Sequence, residues 1–165
     1  MLIVLFCALT LAWMALIYWF SANNGRESGE FSGNILRKLL CVCYPGWSSK
    51  TALQKEAVIG RFHTFFRKCG HFSEYAVLGV FCRITWALIV SCMQKSRQRH
   101  SARDFLLPAL LSFLYACSDE YHQRFVAGRS GEFRDVLIDF SGACLGIAVV
   151  SLILCLLNRK PEYET

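Results

Sequence analysis

Residues 1–25 contain no charged side chain, and residues 2–20 are almost wholly apolar. At about 1.5 Å per residue such a stretch reaches nearly across a hydrocarbon core of about 30 Å. A chain that opens this way is expected to place its first helix in a membrane. A cleaved signal peptide is the rival reading. It would call for a basic start and a small-x-small cleavage site, whereas this chain opens Met-Leu-Ile-Val. Trp13, Tyr18 and Trp19 suit a retained helix with aromatic anchors towards its outer end.

Three further segments repeat the signal. Residues 72–93 form the second expected span, with Glu74 near its start and Arg83 near its middle. Residues 136–157 form another, with Asp139 one turn in and Gly142 and Gly146 as a small-xxx-small face for close helix packing. Between them, residues 105–117 are apolar but cover only about 20 Å, too little to cross. That helix is therefore expected to continue through Ser118-Asp119-Glu120-Tyr121-His122-Gln123-Arg124-Phe125, which puts a titratable sequence on the last turns of a membrane helix. The expected fold is all-α: a polytopic membrane helix bundle with four transmembrane helices at about 2–20, 72–93, 105–125 and 136–157. The chain 1–165 reads as a single membrane domain, with residues 21–68 as a surface loop. Leu36, Leu39 and Leu40 beside Arg37 and Lys38 predict one or two short amphipathic helices within that loop.

Composition agrees: 55% of the residues are hydrophobic, and the formal charge of +6 is spread unevenly, with most Lys and Arg in the segments between apolar runs. A nucleic-acid binder would spread its bases along helices and loops throughout, so that class is set aside. Nine cysteines carry no zinc signature, because Cys41 and Cys43 form a C-x-C and Cys69 stands alone. Lys95, Arg97, Arg99 and Arg103 crowd the short segment 94–104, which argues for a cytoplasmic loop and hence for both termini inside.

Polar groups at membrane depth gather in three places. His71 and Glu74 share a helix face after Arg67 and Lys68. Asp119, His122 and Gln123 share one face, while Glu120 and Arg124 share another and are spaced to pair. Arg129 precedes Asp135 and Asp139, which are i, i+4. In a four-span chain all three places lie at one end of the bundle, and ionisable residues in a membrane are by default a site. The plain alternative is that these groups only pair with one another and stitch helices together. Arg83 lies about 180° around its helix from Glu74, so it is expected outside the cluster, paired elsewhere or snorkelling to the surface.

At these residues the chain resembles the VanZ-like family of bacterial membrane proteins. The resemblance rests on Arg67-Lys68-Cys69-Gly70-His71-Phe72-Ser73-Glu74-Tyr75-Ala76-Val77-Leu78-Gly79, on Ser118-Asp119-Glu120-Tyr121-His122-Gln123-Arg124-Phe125-Val126, on Gly128-Arg129, and on Asp135 to Asp139 with Gly142 and Gly146. The Phe20-Ser21 end of the first helix and Ser28 add to it. Ala127 stands where the family often has proline, and Asp139 where asparagine is also common. The resemblance implies a multi-pass protein of the bacterial plasma membrane and a link to lowered susceptibility to teicoplanin and related lipoglycopeptides. It implies no settled reaction.

The leading expectation is a protein that binds or acts on an envelope lipid or lipid-linked cell-wall component. Arg67, Lys68, Gln123 and Arg129, with Arg124 and Arg134 beside them, suit an anionic headgroup, since guanidinium grips phosphate and carboxylate bidentately. The runner-up is a membrane hydrolase or transferase, metal-dependent in one version. His71, Glu74, Asp119, Glu120, His122 and Asp135 would be its catalytic or ligand candidates. The chain holds no H-E-x-x-H, Gly-rich phosphate loop or nucleophile elbow to favour that reading. The sequence assigns no cofactor, no metal and no oligomeric state.

Overall fold

The computed structural model of the chain describes residues 1–22, 25–93, 103–129 and 131–158. They form five helices: α1 (Leu2–Ala22), α2 (Gly25–Cys43), α3 (Ala52–Met93), α4 (Arg103–Gln123) and α5 (Phe133–Leu157). No strand occurs among the described residues, so the all-α expectation holds. Lys95, Arg97 and Arg99, three of the four bases on which the orientation rests, lie outside the described residues.

α1, α3 and α5 are long and apolar enough to cross a membrane. α1 turns its large side chains outward, with Leu2, Val4, Leu11 and Trp19 exposed. It buries only Thr10, Ile17 and Ser21, one stripe along the helix. This inverted pattern is what lipid selects, because apolar side chains lose nothing by facing acyl tails while polar ones need protein partners. Thr10 Oγ1 meets Thr85 Oγ1 at 3.0 Å, and Trp13 donates to the Glu74 carbonyl at 2.9 Å.

Of the four expected spans, α4 is the one that length and apolarity together do not mark as a span. It continues past residue 117 as predicted, but it does not reach the apolarity of a span. Ser112, Asp119, Glu120 and Gln123 dilute it, and all four are buried inside the bundle. Its partners explain how the helix is tolerated there. Phe72 and Ala76 of α3 lie against Gly142 and Gly146 of α5, so α3 and α5 run parallel. The chain must return between them, and α4 is the return. Its Asp104 accepts from Trp86 of α3, while Tyr115 packs on Tyr75 at the other end.

The seam between α3 and α5 is the closest in the molecule. A Cβ on Gly146 would stand 2.0 Å from the Ala76 carbonyl oxygen, and one on Gly142 2.2 Å from that of Phe72. Gly79 of α3 answers them at 2.2 Å from the Ala143 oxygen. Without a hydrophobic force between helices in lipid, such backbone contact is what holds them. Ile17, Tyr75, Leu78, Cys82, Ala116, Val136 and Ala143 fill the core beside the seam.

The 21–68 loop is a correction. Most of it is helix, in α2 and the first half of α3. α2 is the predicted amphipathic helix and packs Leu36 with Trp47 and Ile59. α3 starts at a reciprocal cap, in which Thr51 Oγ1 accepts from Gln54 N–H at 3.3 Å and Gln54 Oε1 accepts from Thr51 N–H at 3.0 Å. From there it runs 42 residues unbroken, about 63 Å, or twice the thickness of a hydrocarbon core.

Arg83 takes the first of its two expected alternatives and pairs outside the cluster. It does not snorkel: it is 2% exposed, and its Nε donates to Ser151 Oγ at 2.9 Å.

Candidate functional site

Four helix segments and one turn meet at one end of the bundle. They are the end of α1, residues 67–75 of α3, the last turns of α4, residues 124–132 and the first turns of α5. The level predicted for His71, Glu74, Asp119, Glu120, His122 and Asp135 is thus a physical one, and α1 adds Tyr18, Phe20 and Ser21 to it.

α4 supplies the centre. Asp119 and Gln123 are each 2% exposed, and the Gln123 amide donates to Asp119 Oδ2 at 3.2 Å. The oxygen of the same amide accepts from Arg129 at 3.3 Å. Arg129 arrives there because Gly128 adopts φ +76°, which turns the chain back after α4. Its other nitrogen donates to the Phe20 carbonyl at 2.9 Å, closing the last unpaired turn of α1. Burial draws the Arg129 guanidinium below its usual range and Arg67 adds to this, while Asp119, Glu120 and Glu74 act the other way.

The expected Glu120–Arg124 pair does not form. Arg124 is exposed, and Glu120 instead accepts the Glu132 backbone N–H at 3.1 Å. The turn makes this partner available, since Gly131 comes so close to the Glu120 carbonyl that a Cβ would stand at 2.2 Å. His122 leaves the Asp119–Gln123 face and turns to α1, where Tyr18 OH lies 3.1 Å from its Nε2.

On α3, His71 Nδ1 stands 3.6 Å from Glu74 Oε2, the i, i+3 neighbours predicted. Lys68, a predicted headgroup residue, is held by an ion pair to Asp135. Arg67 is half-buried and makes no ion pair among the described residues. Deeper lie Tyr75 at 0% exposure and Asp139 at 1%, next to Asp119. Neither Asp139 oxygen nor the Tyr75 hydroxyl has a hydrogen-bond partner among the described residues. Gly142 and Gly146, predicted as packing residues, form the seam below them.

Two cavities open on either side of α3. One, of about 390 Å³, lies towards α5 and is lined by Arg67, Lys68, His71, Arg134, Asp135 and Asp139 among others. The second, of about 230 Å³, lies towards α2, with Phe20, Phe31, Ile35 and Phe66 as walls and Arg67, His71, Glu74 and Arg129 at its polar side. Arg67 and His71 line both.

Sequence reasoning missed one contact between α2 and α3. His63 Nε2 meets Ser32 Oγ at 2.9 Å and the Gly29 carbonyl at 3.0 Å. Gly29 and Gly33, one turn apart, face the ring at ordinary van der Waals distance, so no local sequence signal marks the contact. For metal binding, no three His, Cys, Asp or Glu residues among those described come together suitably.

With this geometry in hand, comparison with known proteins gives one result. A family model described as VanZ/LLP1 matches residues 6–154, nearly the whole chain. No curated protein and no solved structure matches it.

Proposed function

We propose a function for this chain on a plain premise: it belongs to the VanZ/LLP1 family. The protein binds, or acts on, the anionic headgroup of an envelope lipid or lipid-linked cell-wall component, and so lowers susceptibility to teicoplanin-type antibiotics. It does so in the bacterial plasma membrane with both termini cytoplasmic, which puts the site at the outer face. One observation carries the reading. Arg67, without an ion pair among the described residues, shares an apolar-walled cavity with Arg129 at the end of a membrane bundle. Two guanidiniums in a partly dehydrated pocket favour a phosphate or carboxylate over any neutral ligand. A metal-dependent hydrolase has less support, since no carboxylate and imidazole triplet is assembled among the described residues.

Lipid extraction from the purified protein tests this. A lipid bearing phosphate or carboxylate should be enriched over the bulk membrane, and Arg67→Ala should abolish the enrichment. Equal lipid composition in protein and membrane would reject the reading. Expression in a sensitive host should raise the inhibitory concentration of teicoplanin for the wild type and not for Arg67→Ala. Reporter fusions at Gln98 and after Thr165 should both report the cytoplasm.

A further inference from the structure

We propose that one amphiphile lies across α3 at Arg67 and His71, with its phosphate on Arg67 and Arg129, its chain in the α2 groove and a hydrogen-bond-donating headgroup facing Asp139. This rests on the lipid-binding reading and specifies the class of ligand. It is a phosphodiester joining an apolar chain to a group that bears hydroxyls or an amine.

The two cavities differ in the way the two ends of such a molecule differ. Towards α2 the walls are aromatic and aliphatic, and two of them, Phe31 and Ile35, are themselves exposed on an amphipathic helix. A groove edged by exposed apolar side chains at a membrane surface opens into the acyl region, so a chain can enter from the side. Its 230 Å³ takes a segment of chain and leaves the remainder in the bilayer.

Towards α5 the lining alternates in sign. Lys68 and Asp135 are already paired, and Arg134 sits at the same cavity. At its base Asp139 is 1% exposed and offers two oxygens without a donor among the described residues. A buried acceptor without a partner is costly, and it is satisfied by a ligand donor. A quaternary amine, or a phosphate already gripped between two arginines, cannot supply one there, whereas a hydroxyl or primary amine can. The volume of 390 Å³ falls in the range of about 300–1,000 Å³ typical of small-molecule sites.

Between the two sits the charge that joins them. Arg129 is already engaged with Phe20 and Gln123, and Arg67 stands close enough to disfavour its positive charge. A shared anion reverses that repulsion, because each guanidinium can then grip an oxygen of one phosphate. Arg67 and His71 line both cavities, so a phosphate held there has one cavity on either side for its two substituents.

The test is native mass spectrometry of the detergent-solubilised full chain against phosphatidylglycerol, phosphatidic acid and phosphatidylcholine at equal ratios. Phosphatidylglycerol should be retained over phosphatidylcholine. Arg67→Ala should weaken its retention by about tenfold or more, as loss of a charge-assisted contact does. Ile35→Trp, which fills the groove, should weaken all three lipids. Phe31→Trp is the second groove variant and should agree with it. Asp139→Ala should weaken phosphatidylglycerol and leave phosphatidic acid unchanged. If Arg67→Ala weakens binding while both groove variants and Asp139→Ala retain phosphatidylglycerol fully, the amphiphile does not lie across α3 and only the headgroup reading survives. If the wild type retains no lipid at all, both readings fall together. A monodisperse elution profile and unchanged helicity qualify each variant for comparison.

Discussion

The two flanks of α3 are built on opposite principles. Towards α5 it meets backbone with backbone at Gly79, Gly142 and Gly146, with the Lys68–Asp135 pair at one end and the Arg83–Ser151 bond at the other. Towards α2 it meets side chains: a small apolar cluster of Leu36, Trp47 and Ile59, the His63–Ser32 bond and a surface ion pair. The first flank has no tolerance for added atoms and holds the polar cavity in fixed shape. The second rests on side-chain contacts alone, and it borders the apolar groove. In the proposed site one wall would thus be rigid and the other dockable, which suits ligands that share a headgroup and differ in their chains.

This contrast can be broken most forcefully at the seam. Gly146→Leu should disrupt the bundle, since even its first added atom must displace the Ala76 carbonyl; overpacking of this kind costs about 3 kcal/mol or more. Loss of the monodisperse detergent peak and of thermal stability would be the readout, and a variant as stable as the wild type would show that the helices sit further apart. Next comes Leu36→Ala on the other flank. It should cost about 2–3 kcal/mol of α2 docking, seen as faster hydrogen exchange in α2 with α3 and α5 unchanged. If α5 loosened as well, the flanks would not be independent.

Arg83→Ala should rank third. It removes a buried guanidinium bonded to Ser151 at the end of α3 remote from the site. Stability should fall by about 1–3 kcal/mol, while lipid retention per folded molecule stays at the wild-type level. The smallest effect belongs to Arg37→Ala. Its pair with Glu56 measures 2.6 Å, but the two side chains are 54% and 60% exposed. Water screens such a pair, so the change should stay within about 0.5 kcal/mol, below the resolution of a melting curve for most membrane proteins.

Much of the site was legible because its residues lie on local patterns. His71 with Glu74, and Asp135 with Asp139, are helical neighbours, and alternation of helix direction brings their ends together. The continuation of α4 through Gln123 followed from the length of its apolar run. What failed was each inference that needed a partner distant in sequence. Glu120 and Arg124 have ideal spacing, yet the turn at Gly131 delivers the Glu132 N–H first. Arg83 was placed off the cluster by its angle around the helix, but only the parallel register with α5 reveals Ser151. The loop at 21–68 was misread because Ser, Gly and charge resemble a linker. The Thr51-x-x-Gln54 cap was the overlooked mark of a helix start. The span count differs at α4 for a related reason: its polar residues are buried by neighbours that its own composition does not disclose.

The unbroken length of α3 acts as a depth gauge. Counting back about 20 residues from Met93, the number needed for one hydrocarbon core, brings the far boundary of the acyl region close to Ser73. Glu74 and Tyr75 then fall just inside the oil, and His71, Lys68 and Arg67 stand at the height where phosphates of the bilayer itself are found. A stiff rod cannot slide its charges up or down to meet a ligand. Whatever reaches the Arg67 guanidinium must therefore present its own charge at headgroup height, as a lipid does by virtue of being anchored in the leaflet.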